Sequence, residues 1–148
     1  INDDMGKYVA ENIVKKLISA DKAVKGAKVA ILGFTFKENC PDTRNSKVID
    51  IIKRLKEYDI NLIVTDSWAD ETVAKHEYGV DLVSYNDIPK ADCVIVAVGH
   101  GEYRSMSMMQ LKELFKNESS DDEKVLIDVK SLYRMDELKA SGMRFWRL

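Results

Sequence analysis

Basic side chains follow two segments that read as buried strands. Lys37 and Arg44 stand seven residues apart in "GFTFKENCPDTRNS" (33–46), and Lys130 directly follows "KVLIDV" (124–129). A lysine supplies a point charge, whereas an arginine supplies a planar fork that can hold two phosphate oxygens. If the two segments meet in the fold, these three cations can converge on an anion such as a phosphate or pyrophosphate.

A simpler interpretation of the first segment stays open at this point. Lys37 and Arg44 can be solvated loop charges that pair with Glu38 and Asp42 in the same segment. The two phenylalanines of "FTF" favour a site, since one can pack under the edge of a sheet while the other lies against a base or sugar. The segment matches neither GxGxxG nor a P-loop, so neither nucleotide fingerprint applies.

Three further residues, Asp66, His100 and Cys40, are candidates for chemistry. Asp66 ends a strand, where an acid can bind a ribose hydroxyl or cap the next helix. His100 lies between two glycines, either as a base with no obvious partner or as part of a pocket rim or plain loop. Cys40 can be a nucleophile, and Cys93 is expected to be a buried apolar residue. The two cysteines have no CxxC spacing, which predicts neither a metal site nor a disulfide framework and indicates a reducing compartment.

The elements that must position these residues alternate between strands and helices. This alternation predicts a Rossmann-like, doubly wound, mainly parallel sheet with flanking helices. In such sheets, ligands bind beyond the carboxyl ends of the strands. The predicted strands are 28–33, 61–66, a short one at 80–83, 93–98, 124–129 and an edge strand at 144–148, and the predicted helices include one that begins after Ser46, one at 70–76, one at 105–115 and one at 135–141.

A helix with an apolar stripe leads the chain. Met5, Val9, Ile13 and Leu17 are spaced four residues apart, which places them on one face. We expect residues 1–24 to be the end of a connector helix and residues 25–148 to form the domain proper. The stripe can also pair with a copy of itself.

Composition excludes several classes of function. The 148 residues suffice for one domain with a core, and the formal net charge of −2 argues against a general nucleic-acid or membrane surface. No apolar run approaches the roughly 20 residues of a membrane span. We therefore expect a protein of the cytoplasm without nucleic-acid or membrane partners.

The motifs closely resemble those of a known family. "VAILGFTFKENCPDTRNSKVIDII" is similar to the opening of the C-terminal, UDP-binding domain of the UDP-glucose/GDP-mannose dehydrogenase family, and "ADCVIVAVGHGEYR" and "LIDVKSLYR" fit the same domain in the same order. The form "TFKENCPDTRNSKV", with "DVK" later, most resembles the branch that oxidises UDP-N-acetylhexosamines. The family's Gly-x-x-Phe-Lys stretch, Asp-x-Arg and Ser fall on Gly33, Phe36, Lys37, Asp42, Arg44 and Ser46.

The resemblance implies an activity and roles for four residues. The family oxidises the C6 alcohol of a nucleotide sugar to a uronic acid in two steps, with two NAD⁺ and a catalytic cysteine, for use in surface polysaccharide. It implies that Phe36 and Lys37 contact the UDP-sugar, that Lys130 is a basic residue on the substrate, and that Arg44 reaches NAD.

The chain also departs from the family pattern. It contains neither the family's N-terminal GxGxxG domain nor its glycine-flanked catalytic cysteine, and neither Cys40 nor Cys93 matches that cysteine. The resemblance therefore implies no catalytic residue in this chain, an N-terminal NAD-binding and catalytic domain as its partner, and a homodimer. The alternative is a stand-alone, non-catalytic nucleotide-binding or regulatory module.

Overall fold

Within residues 2–148, five strands form one parallel sheet, which is the architecture that the alternating pattern predicts. The computed structural model describes residues 2–148. The strand order is β2-β1-β3-β4-β5, and every neighbouring pair is parallel. The prediction of a doubly wound parallel sheet is confirmed, including the edge position of the last strand. The strands are β1 (Lys28–Leu32), β2 (Asn61–Thr65), β3 (Cys93–Val96), β4 (Val125–Asp128) and β5 (Arg144–Arg147).

In the part of the chain that the structure describes, six helices flank the sheet. Asp70 caps the third helix by accepting hydrogen bonds from the amides of Thr72 and Val73, and Gly79 ends it in the left-handed conformation. Short 3₁₀ turns cover Tyr85–Asp87 and Asp121–Glu123. The helices are α1 (Asn2–Ser19), α2 (Val48–Lys56), α3 (Glu71–Tyr78), α4 (Gly101–Arg104), α5 (Met108–Lys112) and α6 (Met135–Ala140).

Two predicted elements differ from the structure. The helix predicted over 105–115 is present but shorter, as Met108–Lys112, because Ser107 and Gln110 form a capping box that starts it at Met108. The predicted strand at 80–83 is an isolated bridge between Val64 and Leu82, after which the chain turns away from the edge of the sheet. Both differences lie in the connections, and the order of the sheet is unaffected.

The helices cover both faces of the sheet because the strand side chains alternate between two cores. Val29 and Ile31 of β1 face the core that α1, α2 and α3 complete, whereas Ala30 and Leu32 face the core that α4, α5 and α6 complete. Within residues 2–148, no helix is long and apolar enough to cross a membrane.

The apolar stripe of α1 is part of the core. Val9, Ile13 and Leu17 have no exposed surface and pack with α2 and the sheet, while Met5 is 43% exposed. The expectation that this stripe pairs with a copy of the chain is therefore wrong for three of its four residues. The division of the chain at residue 24 stays a prediction, and residue 1 of that connector lies outside the described residues.

Gly33 gives a test of the turn that leaves β1. Its φ of +105° disfavours any side chain, and an added Cβ would lie 2.6 Å from Val98 Cβ. We expect Gly33→Ala to lower the free energy of unfolding by on the order of 3 kcal/mol through strain and overpacking. Urea unfolding followed by circular dichroism measures the loss.

Gly26 supplies the matched control for that measurement. Its φ of +79° is also left-handed, but an added Cβ would meet no atom within 4 Å. Gly26→Ala should therefore lower the free energy of unfolding by about 1 kcal/mol, through backbone strain only. Equal losses in the two variants would show that the close approach to Val98 is unimportant.

Candidate functional site

The loops that carry Lys37 and Lys130 meet at the carboxyl edge of the sheet. Between them lies Gly99, just beyond the end of β3. A Cβ placed on Gly99 would lie 3.0 Å from Leu132 Cδ2 in the loop after β4 and 3.9 Å from Glu38 Cβ in the loop after β1. The structure thus brings together the two segments whose convergence the sequence analysis predicts.

The predicted substrate-binding side chains are open to ligand. Phe36 is 45% exposed, and Lys37 and Lys130 are also exposed. Among the described residues, no carboxylate forms an ion pair with the amino group of either lysine, so the pairing of Lys37 with Glu38 is not seen. Both positive charges remain available to an anion.

Arg44 is engaged within its own loop. Its Nε and Nη2 donate to the two carboxylate oxygens of Asp42, each at 3.0 Å, and these hydrogen bonds lower the pKa of Asp42. The pairing that the simpler interpretation suggested is therefore present for Arg44, whose side chain is nevertheless 84% exposed. The neighbouring carbonyl of Thr43 accepts from the hydroxyl of Tyr78 at 3.2 Å. Arg44 thus lies towards α3, whereas Lys130 follows β4 on the far side of β3.

Beneath the loop after β1 lies the buried carboxylate of Asp66. Its Oδ2 accepts from the backbone amides of Phe34 at 2.6 Å and Thr35 at 3.1 Å. Its Oδ1 accepts from the amides of Trp68 at 2.8 Å and Ala69 at 3.1 Å. One side chain therefore holds the first amides of the loop after β1 and the turn that leaves β2.

His100 supplies the fifth hydrogen bond to this carboxylate. The imidazole is fully buried, with Nε2 at 2.9 Å from Asp66 Oδ2 and 3.1 Å from Thr35 Oγ1. Nδ1 accepts from the backbone amide of Asn39 at 2.9 Å, and the Thr35 hydroxyl donates to the Lys37 carbonyl at 3.0 Å. These partners place the proton on Nε2. Because both ring nitrogens are occupied, His100 cannot accept a proton from a ligand.

The hydrogen bonds keep the Asp66 carboxylate ionised. Burial raises the pKa of Asp66, but the hydrogen bond from His100 and those from the amides of Phe34 and Trp68 lower it by more, so that it lies below its ordinary value of 3.8. All of these donors are protein groups, so the carboxylate does not face a ribose. The capping role is also wrong, since Asp70 caps α3.

Two aromatic rings enclose the imidazole of His100. Trp68 stacks on one side with ring centroids 5.8 Å apart, and Tyr103 lies on another with centroids 5.6 Å apart. The Trp68 indole N–H donates to Glu102 at 3.1 Å, and the Ser67 hydroxyl donates to the same carboxylate. The sequence analysis allowed His100 to be part of a pocket rim or of a plain loop. The structure instead places it at the buried centre of this edge.

A second buried carboxylate holds the loop that carries Lys130. Asp128 ends β4 with no exposed surface, and its two oxygens accept from the amides of Leu132 at 2.9 Å and Tyr133 at 3.0 Å. Ser131 takes a φ of 53°, which reverses the chain within this loop. The backbone that carries Lys130 is thus tied to the end of its own strand.

A cleft lies beside the predicted site. It has a volume of about 830 Å³ and is formed by the end of β2, the segment that follows α3, and helices α4 and α5. None of the four predicted binding residues lines it. Acids outnumber bases in its lining, which suits a diphosphate poorly. The charged residues of the lining are Lys90, Asp66, Glu71, Glu102 and Glu113.

The cysteines and metal-ligand types offer little chemistry. Cys93 is fully buried, and burial raises the pKa of its thiol, as expected for an apolar role. Cys40 is half-buried in the loop after β1, and a nucleophilic role for it stays untested. Across residues 2–148, no group of three or more His, Cys, Asp or Glu side chains could hold a metal ion.

Comparison with known proteins gives a consistent set of relatives. Residues 30–135 match the UDP binding domain of the UDP-glucose/GDP-mannose dehydrogenase family. Protein CapL of Staphylococcus aureus is 44% identical over 148 residues, which is 100% of this chain and 33% of CapL. The UDP-N-acetyl-D-glucosamine 6-dehydrogenase of Pseudomonas aeruginosa is 41% identical over 140 residues, which is 95% of this chain and 32% of the relative. The chain thus spans about a third of the length of these curated relatives.

A solved structure supports the fold. The NDP-N-acetyl-D-galactosaminuronic acid dehydrogenase of Methanosarcina mazei Go1 superposes with a TM-score of 0.83 at 22% identity. The match covers 98% of this chain and 29% of that chain. At this identity, the likeness establishes the architecture of the chain.

The Asp66 carboxylate gives a prediction on pH. We expect Asp66→Asn to lower the free energy of unfolding by about 1–3 kcal/mol near neutral pH, because an amide nitrogen would face the buried donors. The folded-state pKa lies below 3.8, so the stabilisation is present above that pH and is lost as the pH falls through the folded-state value. Urea unfolding of both proteins between about pH 3 and about pH 7 should therefore show the difference shrink at the acidic end.

Asp70 provides the matched control for this substitution. It is exposed and caps α3, and asparagine caps helices about as well as aspartate does. Asp70→Asn should leave the free energy of unfolding within about 0.5 kcal/mol of the original value. If Asp66→Asn behaved in the same way at every pH, the buried carboxylate would not organise this edge.

Proposed function

This chain belongs to the UDP-glucose/GDP-mannose dehydrogenase family, and from this membership we propose that it is the nucleotide-sugar-binding part of an NAD-dependent UDP-sugar 6-dehydrogenase. The observation that carries the proposal is the meeting of two loops at Gly99, each of which presents a lysine without an ion-pair partner among the described residues. Two such cations at the carboxyl edge of a parallel sheet suit a diphosphate.

In this proposal, Phe36, Lys37 and Lys130 bind the UDP-sugar. Lys37 and Lys130 approach the diphosphate from the loops after β1 and β4. Phe36 is large, apolar and 45% exposed, so its ring can lie against a base or sugar. The UDP-N-acetylhexosamine class is supported by the name of the Pseudomonas aeruginosa relative.

Arg44 is proposed to reach the NAD cofactor. Its ion pair with Asp42 uses Nε and Nη2, which leaves the far side of the exposed guanidinium for a ligand. Its position towards α3 separates it from Lys130. One edge of the sheet can therefore serve substrate and cofactor with different cations.

The reaction itself is assigned to another part of the protein. The chain spans about a third of its relatives, so a further domain is proposed to supply the NAD site and the catalytic cysteine, with residues 1–24 as the end of the connector. We assign no catalytic residue to this chain. A homodimer in the cytoplasm that makes a uronic acid for surface polysaccharide completes the proposal.

The activity is tested on the full-length protein that carries this chain. With UDP-N-acetylglucosamine or its epimers, NAD⁺ should be reduced, and NADH absorbance measures the rate. Absence of reduction with these and with UDP-glucose would overturn the proposal. If, in addition, the 148-residue chain bound UDP at micromolar concentration in calorimetry, the stand-alone nucleotide-binding module would replace it.

Charge reversal separates the roles of the two cations. We expect Lys37→Glu to weaken UDP binding to the full-length protein at least tenfold, because a charge-assisted hydrogen bond contributes about 1.5–3 kcal/mol. Arg44→Glu should leave UDP affinity nearly unchanged and raise the KM for NAD⁺. Calorimetry with UDP and steady-state kinetics provide the two measurements.

Lys139 is the matched control for charge reversal. It is exposed in the last turn of α6, away from the loops at the carboxyl edge. Lys139→Glu should change neither UDP affinity nor the KM for NAD⁺. Equal effects of all three substitutions would mean that net charge, and not position, decides binding.

A further inference from the structure

We propose that His100 is the positioning residue for the substrate-binding loop, the residue that sets the backbone from which Phe36 and Lys37 project. The inference rests on the proposed function for the roles of those two side chains. It assigns His100 no contact with the ligand and no part in proton transfer, since both ring nitrogens already have protein partners.

One imidazole holds the loop on both sides of its binding residues. Before them, Nε2 lies 3.1 Å from Thr35 Oγ1, and that hydroxyl donates to the Lys37 carbonyl at 3.0 Å. After them, Nδ1 accepts from the Asn39 amide at 2.9 Å. The span from Thr35 to Asn39 is therefore closed over a single buried ring.

Asn39 is held through both its backbone and its side chain. Its φ of 53° lies in the left-handed region, which asparagine adopts more readily than most non-glycine residues. Its side-chain oxygen also accepts from the amide of Gly101 at 3.0 Å. His100 and its neighbour thus hold both the amide and the side chain of this residue.

The ring itself is held from every side. Asp66 accepts from Nε2 at 2.9 Å, and the rings of Trp68 and Tyr103 enclose the imidazole. Trp68 is secured in turn by Glu102. Because these contacts fix the position of the imidazole, its hydrogen bonds can fix the backbone of the loop.

Positioning matters because lysine is flexible. An exposed lysine can place its amino group at a phosphate only if its backbone is already in place, and any ordering of the loop on binding subtracts from the affinity. A purely structural His100 would affect the stability of the fold and leave the affinity for UDP unchanged. The two possibilities therefore differ in a measurable quantity.

Two substitutions at position 100 each keep a different one of the hydrogen bonds that the imidazole makes. Asparagine at position 100 can place an oxygen near the site of Nδ1 and keep an acceptor for the Asn39 amide. Glutamine can place its amide nitrogen near the site of Nε2 and keep a donor to Asp66, but it loses that acceptor. Only His100→Gln releases the loop after Lys37.

A buried carboxylate at the opposite edge supplies the control. Asp92 accepts from the Lys28 amide at 2.9 Å and pairs with Lys22 and Lys116 at the start of the strands. Asp92→Asn therefore removes a buried charge without touching the loops at the carboxyl edge. The isosteric Thr35→Val, which removes only the bridging hydroxyl, replaces the His100 variants if they fail to fold.

The measurements are UDP affinity by calorimetry on the full-length protein, melting temperature, and hydrogen exchange at the Asn39 amide. We expect His100→Gln to weaken UDP binding about tenfold. If the His100 variants fail to fold, Thr35→Val should have a similar effect, because it frees the Lys37 carbonyl, whose hydrogen bond from the Thr35 hydroxyl His100→Asn leaves in place. His100→Gln should also speed exchange at Asn39. His100→Asn should change affinity less than about threefold, and Asp92→Asn should lower the melting temperature with affinity unchanged.

The outcomes separate this inference from the proposed function. Suppose that the wild-type protein binds UDP and that His100→Gln binds UDP as tightly as Asp92→Asn does. This result would overturn the positioning role of His100 and leave the proposed function intact. Unchanged exchange at Asn39 in His100→Gln would overturn it whatever the affinity. Wild-type protein that does not bind UDP would overturn the proposed function, and the positioning role with it.

Discussion

The burial of one ionised carboxylate, that of Asp66, determines the shape of the carboxyl edge of this sheet. A charge removed from water is tolerated only when hydrogen bonds replace its hydration. Here five donors do so, four of them backbone amides and the fifth the imidazole of His100. Because these donors come from the segments after β1, β2 and β3, satisfying one side chain fixes three connections relative to each other.

Acids and bases are divided between two levels at this edge. Asp66 and Asp128 lie beneath the loops, and their oxygens accept hydrogen bonds from backbone amides and one histidine. Among the described residues, neither carboxylate forms an ion pair with the exposed Lys37 or Lys130. In the proposed function, the anion approaches Lys37 and Lys130 from the solvent side of these loops, whose backbones are tied to the strands on the buried side. The adjoining cleft has the opposite character, since acids dominate its lining.

The sequence predicted the parts that depend on local pattern. Continuous apolar runs such as "CVIVAV" have the composition of strands buried on both faces, and they form the predicted parallel sheet. The motif around Phe36 and Lys37 identified the family through residues close together in the chain. The residues proposed to bind ligand are exposed at the expected edge for the same reason: the loop follows its strand directly.

The network beneath the site was not predictable in this way. His100 is separated from Asp66 by 34 residues and from Thr35 by 65, and nothing in the local sequence of any of them specifies the others. A histidine between two glycines and an aspartate after a strand each have several ordinary uses. Similarly, the stripe on α1 has the period of a helix interface, but only the fold shows that its partner is the sheet of the same chain. Periodicity identifies the buried face of an element and not what covers it.

A half-site gains more from a rigid loop than an enclosed site does. In a site shared between two domains, each contributes only a few contacts, while the ligand loses the same translational and rotational freedom as in a complete pocket. Any free energy spent on ordering a loop is then a larger fraction of what the half-site supplies. The predicted binding residues lie outside the adjoining cleft, so in the proposed function their contribution depends on the loop being in place before the ligand arrives. The buried histidine and carboxylate provide such order, because they accept hydrogen bonds from the loop's backbone amides on its buried side and leave Phe36 and Lys37 exposed.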